Sequence, residues 1–341
     1  MSARRGVLSA GSFCVDFNKS IVRWPEQDTV TEVVRIDRQG GGSGYNMAND
    51  LKRLDPAFPV EAMGVVGDDD LGRFLIGECE ARGVACAGLK ALPGGATMSV
   101  DAINVLDTGR RTHFFHAGVA AALSPDHFDF SSSKARILHL GLPGAHAAMD
   151  VPWRAHANGW VAVLQAARRA GLTTNLELMT TSAERLAELA CPCLPHLDFL
   201  IVNDFEIGAL AGVATRRADG TTDVVAVGRA IAVALERGAM RWVVAHFPEG
   251  AVARGRDGTF ATLGSVAMPA SAVAGVNGAG DAFAAGMIYG LHEGWAIADC
   301  LRLAHSSAAA SMRAVSTTEG VSAVAECLAL ADKWGLRPPP A

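Results

Sequence analysis

The chain has 341 residues, 50% hydrophobic and 19% charged, enough apolar side chain to bury a large core as one big domain or a domain with an appendage. A formal net charge of −5 and a pI of about 6.1, with no basic stripe and no aromatic residues interleaved among basic ones, disfavour nucleic acid and anionic membrane as partners. The apolar run behind the basic Met1–Arg5 is broken by Asp16 and Lys19 and lacks a cleavage site, and the seven scattered cysteines read as reduced thiols, so a cytoplasmic enzyme is expected.

In chain order, an apolar run from Val7 leads to Gly11, Ser12 and Asp16. Residues Ile21 to Gln39 are rich in β-branched and charged types with turn signals, and predict strands outside the main sheet. Gly40-Gly41-Gly42-Ser43-Gly44 precedes a helix, and Gly64 to Asp68 reads as a strand and turn. Thr97 to His116 repeats the character of Ile21 to Gln39. From there strand-like and helix-like segments alternate: strands at Ile137–Leu142, Thr173–Leu178, Phe199–Val202 and Trp242–Ala245, and helices at Trp160–Ala170, Ala183–Ala190, Val224–Glu236, Asp299–Ala314 and Val321–Trp334. Such alternation predicts an α/β fold with a central, mostly parallel sheet flanked by helices. The uncharged run Phe260 to Gly280 is broken by Gly264, Pro269, Gly275, Asn277 and Gly278, and so reads as strand, loop and turn rather than a membrane span. Arg337-Pro338-Pro339-Pro340-Ala341 reads as a loose tail.

Two glycine-rich segments carry chemistry. Gly278-Ala279-Gly280-Asp281 opens the apolar segment Ala282–Leu291, and backbone N–H groups converging at a helix start would hold a phosphate, with Asp281 beside it to take a proton from a hydroxyl. Taken alone, the same residues also suit an acidic cap on a buried helix. Around Gly41 and Gly42, bare backbone would admit a sugar's hydroxyls, and Asn46 offers them a donor and an acceptor. Neither cluster completes Gly-x-Gly-x-x-Gly, and no Gly-x-x-x-x-Gly-Lys-Ser/Thr loop is present, which counts against a dinucleotide-binding oxidoreductase and a P-loop enzyme. His113, His116, His139 and His146 show no metal-ligand spacing and read as ordinary hydrogen-bonded residues; Cys191-Pro192-Cys193 likewise makes no metal site.

Gly275 to Phe283 resembles, from Gly278 onward, the Asp-Thr-x-Gly-Ala-Gly-Asp-x-Phe signature of the ribokinase-like (PfkB) carbohydrate kinase family. Gly41, Gly42, Asn46 and Ala48 resemble its Gly-Gly-x-x-x-Asn-x-Ala pattern. Asp16 after Gly11-Ser12, the Gly64–Gly72 segment and Asn203-Asp204-Phe205-Glu206 fall in family order, so the resemblance runs from about Val7 to Gly320. It implies a ribokinase-like kinase domain over about 1–330, with lid segments at about 12–39 and 97–116, and a tail at 331–341. It further implies ATP and Mg²⁺ as cofactors, a sugar acceptor and a homodimer formed through the lid. By the same resemblance Asp281 is the catalytic base and Gly278, Ala279 and Gly280 form the anion hole; Asp16, Gly41, Gly42 and Asn46 hold the sugar. Asn203 and Glu206 would organise magnesium and phosphate, Glu206 as the metal residue, while His246 and Gly250 lie beneath the nucleotide and His305 lies against adenine. A nucleoside kinase of the same family, or a non-catalytic sugar or nucleotide sensor on the same fold, is the alternative.

Three departures shape these expectations. Gly275 and Val276 stand where the family has Asp-Thr, so a monovalent-cation site built there is in doubt. Asn175-Leu176-Glu177-Leu178-Met179 replaces Asp-x-Asn-x-Arg and lacks the arginine. Ala245-His246-Phe247-Pro248-Glu249-Gly250 replaces Val-Thr-x-Gly-x-x-Gly, and its proline removes a backbone donor.

Overall fold

The computed structural model describes residues 4–340. In chain order the elements are β1 (Val7–Gly11), β2 (Cys14–Ile21), β3 (Val33–Gly41), α1 (Ser43–Leu54), β4 (Val60–Gly67), α2 (Asp70–Ala81), β5 (Ala85–Leu92), β6 (Ser99–Val105), β7 (Arg111–His116) and β8 (Ile137–Gly141). They continue through α3 (Gly159–Arg169), β9 (Thr173–Leu176), α4 (Ala183–Ala190), β10 (Phe199–Asn203), α5 (Asp204–Ala211), α6 (Val224–Arg237), β11 (Trp242–Phe247), β12 (Gly250–Gly255), β13 (Phe260–Gly264), α7 (Ala279–Glu293), α8 (Ile297–Ser311) and α9 (Val324–Trp334).

Nine strands form the main sheet in the order β13-β12-β11-β10-β9-β8-β1-β4-β5. From β11 to β5 every pairing is parallel, and β12 and β13 close one edge antiparallel. The strands alternate between two cores, as their period of two demands. Phe199 and Ile201 of β10 pack with α1, α7 and α8, whereas Leu200 and Val202 pack with α3, α5 and α6 on the opposite face. Helix starts follow local chemistry: Asp69, Asn158, Ser182, Asn203 and Asp223 each accept a first-turn N–H of the helix they cap. By contrast α1 and α7 begin at Gly42 and Gly278, with no side-chain cap among the described residues, and both point their starts at the carboxyl end of the sheet. That is where ligands sit in such folds.

The second sheet, β3-β2-β6-β7, covers that end as a separate layer. Between it and the main sheet lies a small apolar cluster of Cys14, Met98, Ala120 and Ala145, backed by Val100, Leu142 and Met179.

The structure departs from the expected boundaries in three places. The early lid strand β2 starts at Cys14 and ends at Ile21, and residues 22–32, with Pro25 and several charges, lie outside the strands. Strand β9 stops at Leu176, which places Glu177 and Met179 beyond the strand end at the mouth of the sheet. The tail is not loose through Pro340: α9 runs to Trp334, and Gly335 and Arg337 then hydrogen-bond alongside β13, Ala267 N–H to the Gly335 carbonyl at 2.9 Å and Arg337 N–H to the Ser265 carbonyl at 2.8 Å. An exposed strand edge recruits extended backbone whatever its side chains, which composition does not reveal.

Candidate active site

Gly278 caps α7 with φ of 74°, and a Cβ at this position would lie 2.3 Å from the Thr317 carbonyl oxygen. Only glycine fits. The N–H of Ala279 reaches the Val276 carbonyl at 3.4 Å, while those of Gly280 and Asp281 have no intrahelical acceptor and stand at the positive end of the helix dipole. Asp281, in the first turn, is the carboxylate nearest this anion-binding end.

Residues far apart in sequence meet at Asp281. Asn46, one turn into α1, donates from Nδ2 to Asp281 Oδ2 at 3.2 Å, and its own Oδ1 accepts the Thr317 hydroxyl at 3.1 Å. The amide is thereby oriented from both sides. Gly41 is pressed against Asp16, for a Cβ there would come 2.3 Å from Asp16 Oδ2. Burial pushes the Asp16 carboxyl up to about 6, opposed by its contact with the Cys14 thiol, supported by the nearby Asp281 charge and opposed again by Arg111 from β7. Asp281 itself is raised well above the ordinary carboxylate range, first by burial and then by the Glu177 carboxylate. The structure therefore brings Asp16, Gly41, Gly42 and Asn46 to one side of Asp281, between the main sheet and the four-stranded layer.

On the other side opens a cleft of ≈ 430 Å³, lined among others by Asn203, His246, Gly280, Phe283, His305 and Arg337. The three rings form a continuous wall, with the Phe283 centroid 4.8 Å from that of His246 and 5.0 Å from that of His305. Burial lowers His246 to about 4 and His305 to about 3, so both imidazoles are neutral at pH 7 and present flat, uncharged faces. Gly250 does not line this cleft. It pairs with Phe247 and Gly264 inside the hairpin, where a Cβ would meet the Leu263 carbonyl at 2.4 Å.

Asn203 and Glu206 form a reciprocal cap on α5: Asn203 Oδ1 accepts the Glu206 N–H at 2.8 Å and Glu206 Oε2 accepts the Asn203 N–H at 3.0 Å. Thr180 adds its hydroxyl to Glu206 Oε1 at 2.8 Å. Each carboxylate oxygen has a further lone pair beyond these bonds, and a hard oxygen donor of this kind, next to the cleft-lining Asn203, suits Mg²⁺ held largely through its waters. Among the described residues no cluster of three or more His, Cys, Asp or Glu makes a self-sufficient metal cage.

Several members of the site were not picked out from the sequence. Thr317 and Thr180 sit in loops with no motif around them. Arg216 forks onto Asp204, Nε to Oδ2 at 3.0 Å and Nη2 to Oδ1 at 2.7 Å, on the cleft wall. Glu177 and His139 were visible only as an odd replacement and as an ordinary histidine, yet they approach each other to 2.7 Å beside Asp281.

A phosphate seated on the start of α7 would have the polar pocket of Asn46 and Asp16 on one side and the ring-lined cleft on the other, the layout of an enzyme that moves a phosphoryl group between a nucleotide and a hydroxyl. Comparison with known proteins makes the class specific: the model of the pfkB family carbohydrate kinases matches residues 4–323, and the chain belongs to that family. It is 24% identical over 316 residues to the 5-dehydro-2-deoxygluconokinase of Geobacillus thermodenitrificans, covering 89% of this chain and 86% of that one. Its fold matches the ribokinase of Arabidopsis thaliana, solved with ribose and ATP, at a TM-score of 0.77 and 19% identity over 96% of this chain and 98% of that one. A putative ribokinase II from E. coli, solved with ATP and Mg²⁺, matches at a TM-score of 0.75 and 18% identity, covering 96% and 99% of the two chains. The protein is an ATP-dependent carbohydrate kinase of the ribokinase-like fold.

The α7 cap makes a direct test. Gly278→Ala places a side chain at a φ that L-residues rarely adopt and against a carbonyl, and should cost about 1–3 kcal/mol, read as a lowered Tm. Gly280→Ala, whose nearest neighbour would be His246 Cε1 at 3.5 Å, should leave Tm nearly unchanged. Equal Tm values for the two variants would refute the steric account.

Proposed function

We propose that the enzyme transfers the γ-phosphoryl group of ATP to a primary hydroxyl of a monosaccharide or a close analogue. The observation that carries this reading is the hydrogen bond from Asn46 to Asp281, which joins the polyol-binding segment to the helix start that would hold the phosphate. In it Asp281 takes the hydroxyl proton, the Gly278-Ala279-Gly280 turn stabilises the charge that develops on the transferred group, with the Gly280 N–H open and that of Ala279 only weakly engaged by the Val276 carbonyl at 3.4 Å, and Asp16, Gly41, Gly42 and Asn46 hold the acceptor. Glu206, steadied by Asn203 and Thr180, would hold magnesium, which would offset the negative charge of the transferred phosphoryl group. The adenine lies along His246, Phe283 and His305.

A second reading is a nucleoside acceptor. The apolar wall of Met98, Leu142 and Met179 beneath the lid supports it, because a base would pack there where a free sugar would leave it wet. Turnover of ATP against a panel of pentoses, hexoses, sugar acids and nucleosides separates the two, and binding of any of them without turnover would favour a sensor.

With the acceptor in hand, Asp281→Asn should lower kcat by at least about 10²-fold, the usual scale of a lost general base, while ATP binding persists. Asp16→Ala should instead raise the acceptor KM and leave ATP hydrolysis without acceptor unaltered. A near-normal kcat in the first variant, or an unmoved KM in the second, would remove that residue from its role.

We also read the enzyme as independent of potassium. Gly275 offers no carboxylate, and its N–H is tied to the Met312 carbonyl at 3.3 Å, so only backbone carbonyls remain to replace the waters of a monovalent ion. kcat/KM measured without sodium or potassium should match that with added potassium at equal ionic strength; saturable activation would count against this.

The outer face of the lid supports a homodimer. Val33, Val34, Ile36, Phe114 and Phe115 are each at least 40% exposed, and Trp24 stacks on Phe114 with centroids 6.3 Å apart. Sedimentation should give a dimer that Ile36→Glu dissociates; a wild-type monomer at micromolar concentration would reject the assembly.

A further inference from the structure

Glu177, assigned no role above, stands at the end of β9 with its N–H on the Leu140 carbonyl at 2.8 Å, and only 17% of its side chain is exposed. Its carboxyl hydrogen-bonds the carboxyl of Asp281. Its other oxygen, Oε2, lies 2.7 Å from His139 Nε2, with the N–H axis turned so that neither atom completes a bond. His139 is wholly buried in mid-β8, and its Nδ1 faces the Asn175 amide nitrogen at 3.0 Å. In the tautomer that accepts from Asn175, the imidazole carries its hydrogen on Nε2, toward Glu177. Burial holds this histidine at about 4, so the contact is between a neutral ring and a carboxyl, and no cation compensates the pair from below.

Two carboxyls in hydrogen-bond contact inside a desolvated site do not both ionise near neutrality; they keep one proton between them. Asp281 faces a crowd of acids from every neighbouring element: Glu177 after β9, Asp50 of α1 and Asp16 of β2, with the Cys14 thiol beside Asp16 and Glu206 beyond Glu177. Set against them are neutral His139, the Asn46 amide, Arg111 facing Asp16 and Arg53 facing Asp50. A base in that setting that already carries a shared proton must pass it on before it can accept another.

We infer that Glu177 is the second half of the base: the acceptor's proton enters through Asp281, and Glu177 takes the proton that Asp281 already shares with it. The inference rests on Asp281 acting as the base. The acceptor O–H bond breaks and an Asp281 O–H bond forms as the acceptor oxygen bonds to the γ-phosphorus; the bond from that phosphorus to the β,γ-bridging oxygen breaks and its electron pair leaves on ADP. The shared proton moves fully onto Glu177 in the same event. Both carboxyls then carry a proton, and one is returned to water when the phosphorylated product leaves. Glu177 touches no reacting atom and acts through Asp281.

Glu177→Gln is nearly isosteric and still able to face both His139 and Asp281, but its amide takes no proton. Asp281 should then titrate closer to an ordinary carboxylate. The acid limb of kcat against pH should move down by about one unit or more, and the plateau should fall about tenfold because the remaining base is weaker. A plateau loss with the acid limb unmoved would mean that Glu177 serves structure alone, and would overturn the inference. A second measurement depends neither on the variant nor on turnover: the carboxyl ¹³C shifts of Asp281 and Glu177 in the wild-type protein, followed across pH. Both should report the same two transitions, one of them near or above neutrality. Two independent transitions in the ordinary carboxylate range would overturn the proton-sharing pair even if the enzyme is a kinase, whereas a wild type that phosphorylates no acceptor yet shows the paired transitions would count against the proposed function alone.

Discussion

The hydrogen bond between Asn46 and Asp281 is the contact on which the arrangement of the site turns. It joins residues 235 positions apart and fixes the start of α1 against the start of α7, the two helices that begin at glycines. Every other helix near the carboxyl end of the main sheet that carries a side-chain cap closes its first turn on itself. With glycine at both caps, leaving these two starts open costs only about a few tenths of a kcal/mol each and leaves backbone donors without a side-chain partner. The Thr317 hydroxyl then decides which way the Asn46 amide points, so a loop residue sets which hydrogen-bonding group meets the Asp281 carboxylate.

Around that contact the molecule gathers acids, and the burial of Asp50 shows how far this goes. Both of its carboxyl oxygens are enclosed without a partner among the described residues, and burial raises its proton affinity well above the ordinary value. Asp16, Glu177 and Asp281 are displaced in the same direction for the same first reason. Burial thus keeps part of this acid cluster protonated, and a magnesium-bearing triphosphate entering the adjacent cleft would meet less repulsion than a count of carboxylates suggests. The opposite cleft wall follows the same economy, with imidazoles that burial keeps uncharged.

Much of this was legible in the sequence, for identifiable reasons. Ala183–Ala190 is a helix with the bounds its pattern predicts, and β8, β10, β11, α3 and α6 lie within a residue or two of theirs, because buried parallel strands and amphipathic helices impose periods that survive in the chain. Gly278 and Gly41 stood out because backbone geometry leaves no other residue there. The parts that stayed hidden depend on tertiary placement. His139 reads as one more core residue until β8 is laid beside β9, and Glu177 reads as strand until the strand is seen to stop one residue earlier. Gly250, by contrast, matched an expected nucleotide position and serves a hairpin.

The way the lid is tethered has a mechanical consequence. Strand β2 follows β1 after only Ser12 and Phe13 and β3 runs into α1 through Gly42, while β6 follows β5 after residues 93–98 and β7 leaves toward β8 through residues 117–136, so the four-stranded layer is tied to the main body at four points, two of them very short. Asp16 is carried by that layer and Asp281 by a helix of the main body. The spacing of the two carboxylates is therefore set by how this layer seats on the main sheet. An acceptor held by both would therefore tie the four-stranded layer to the main body.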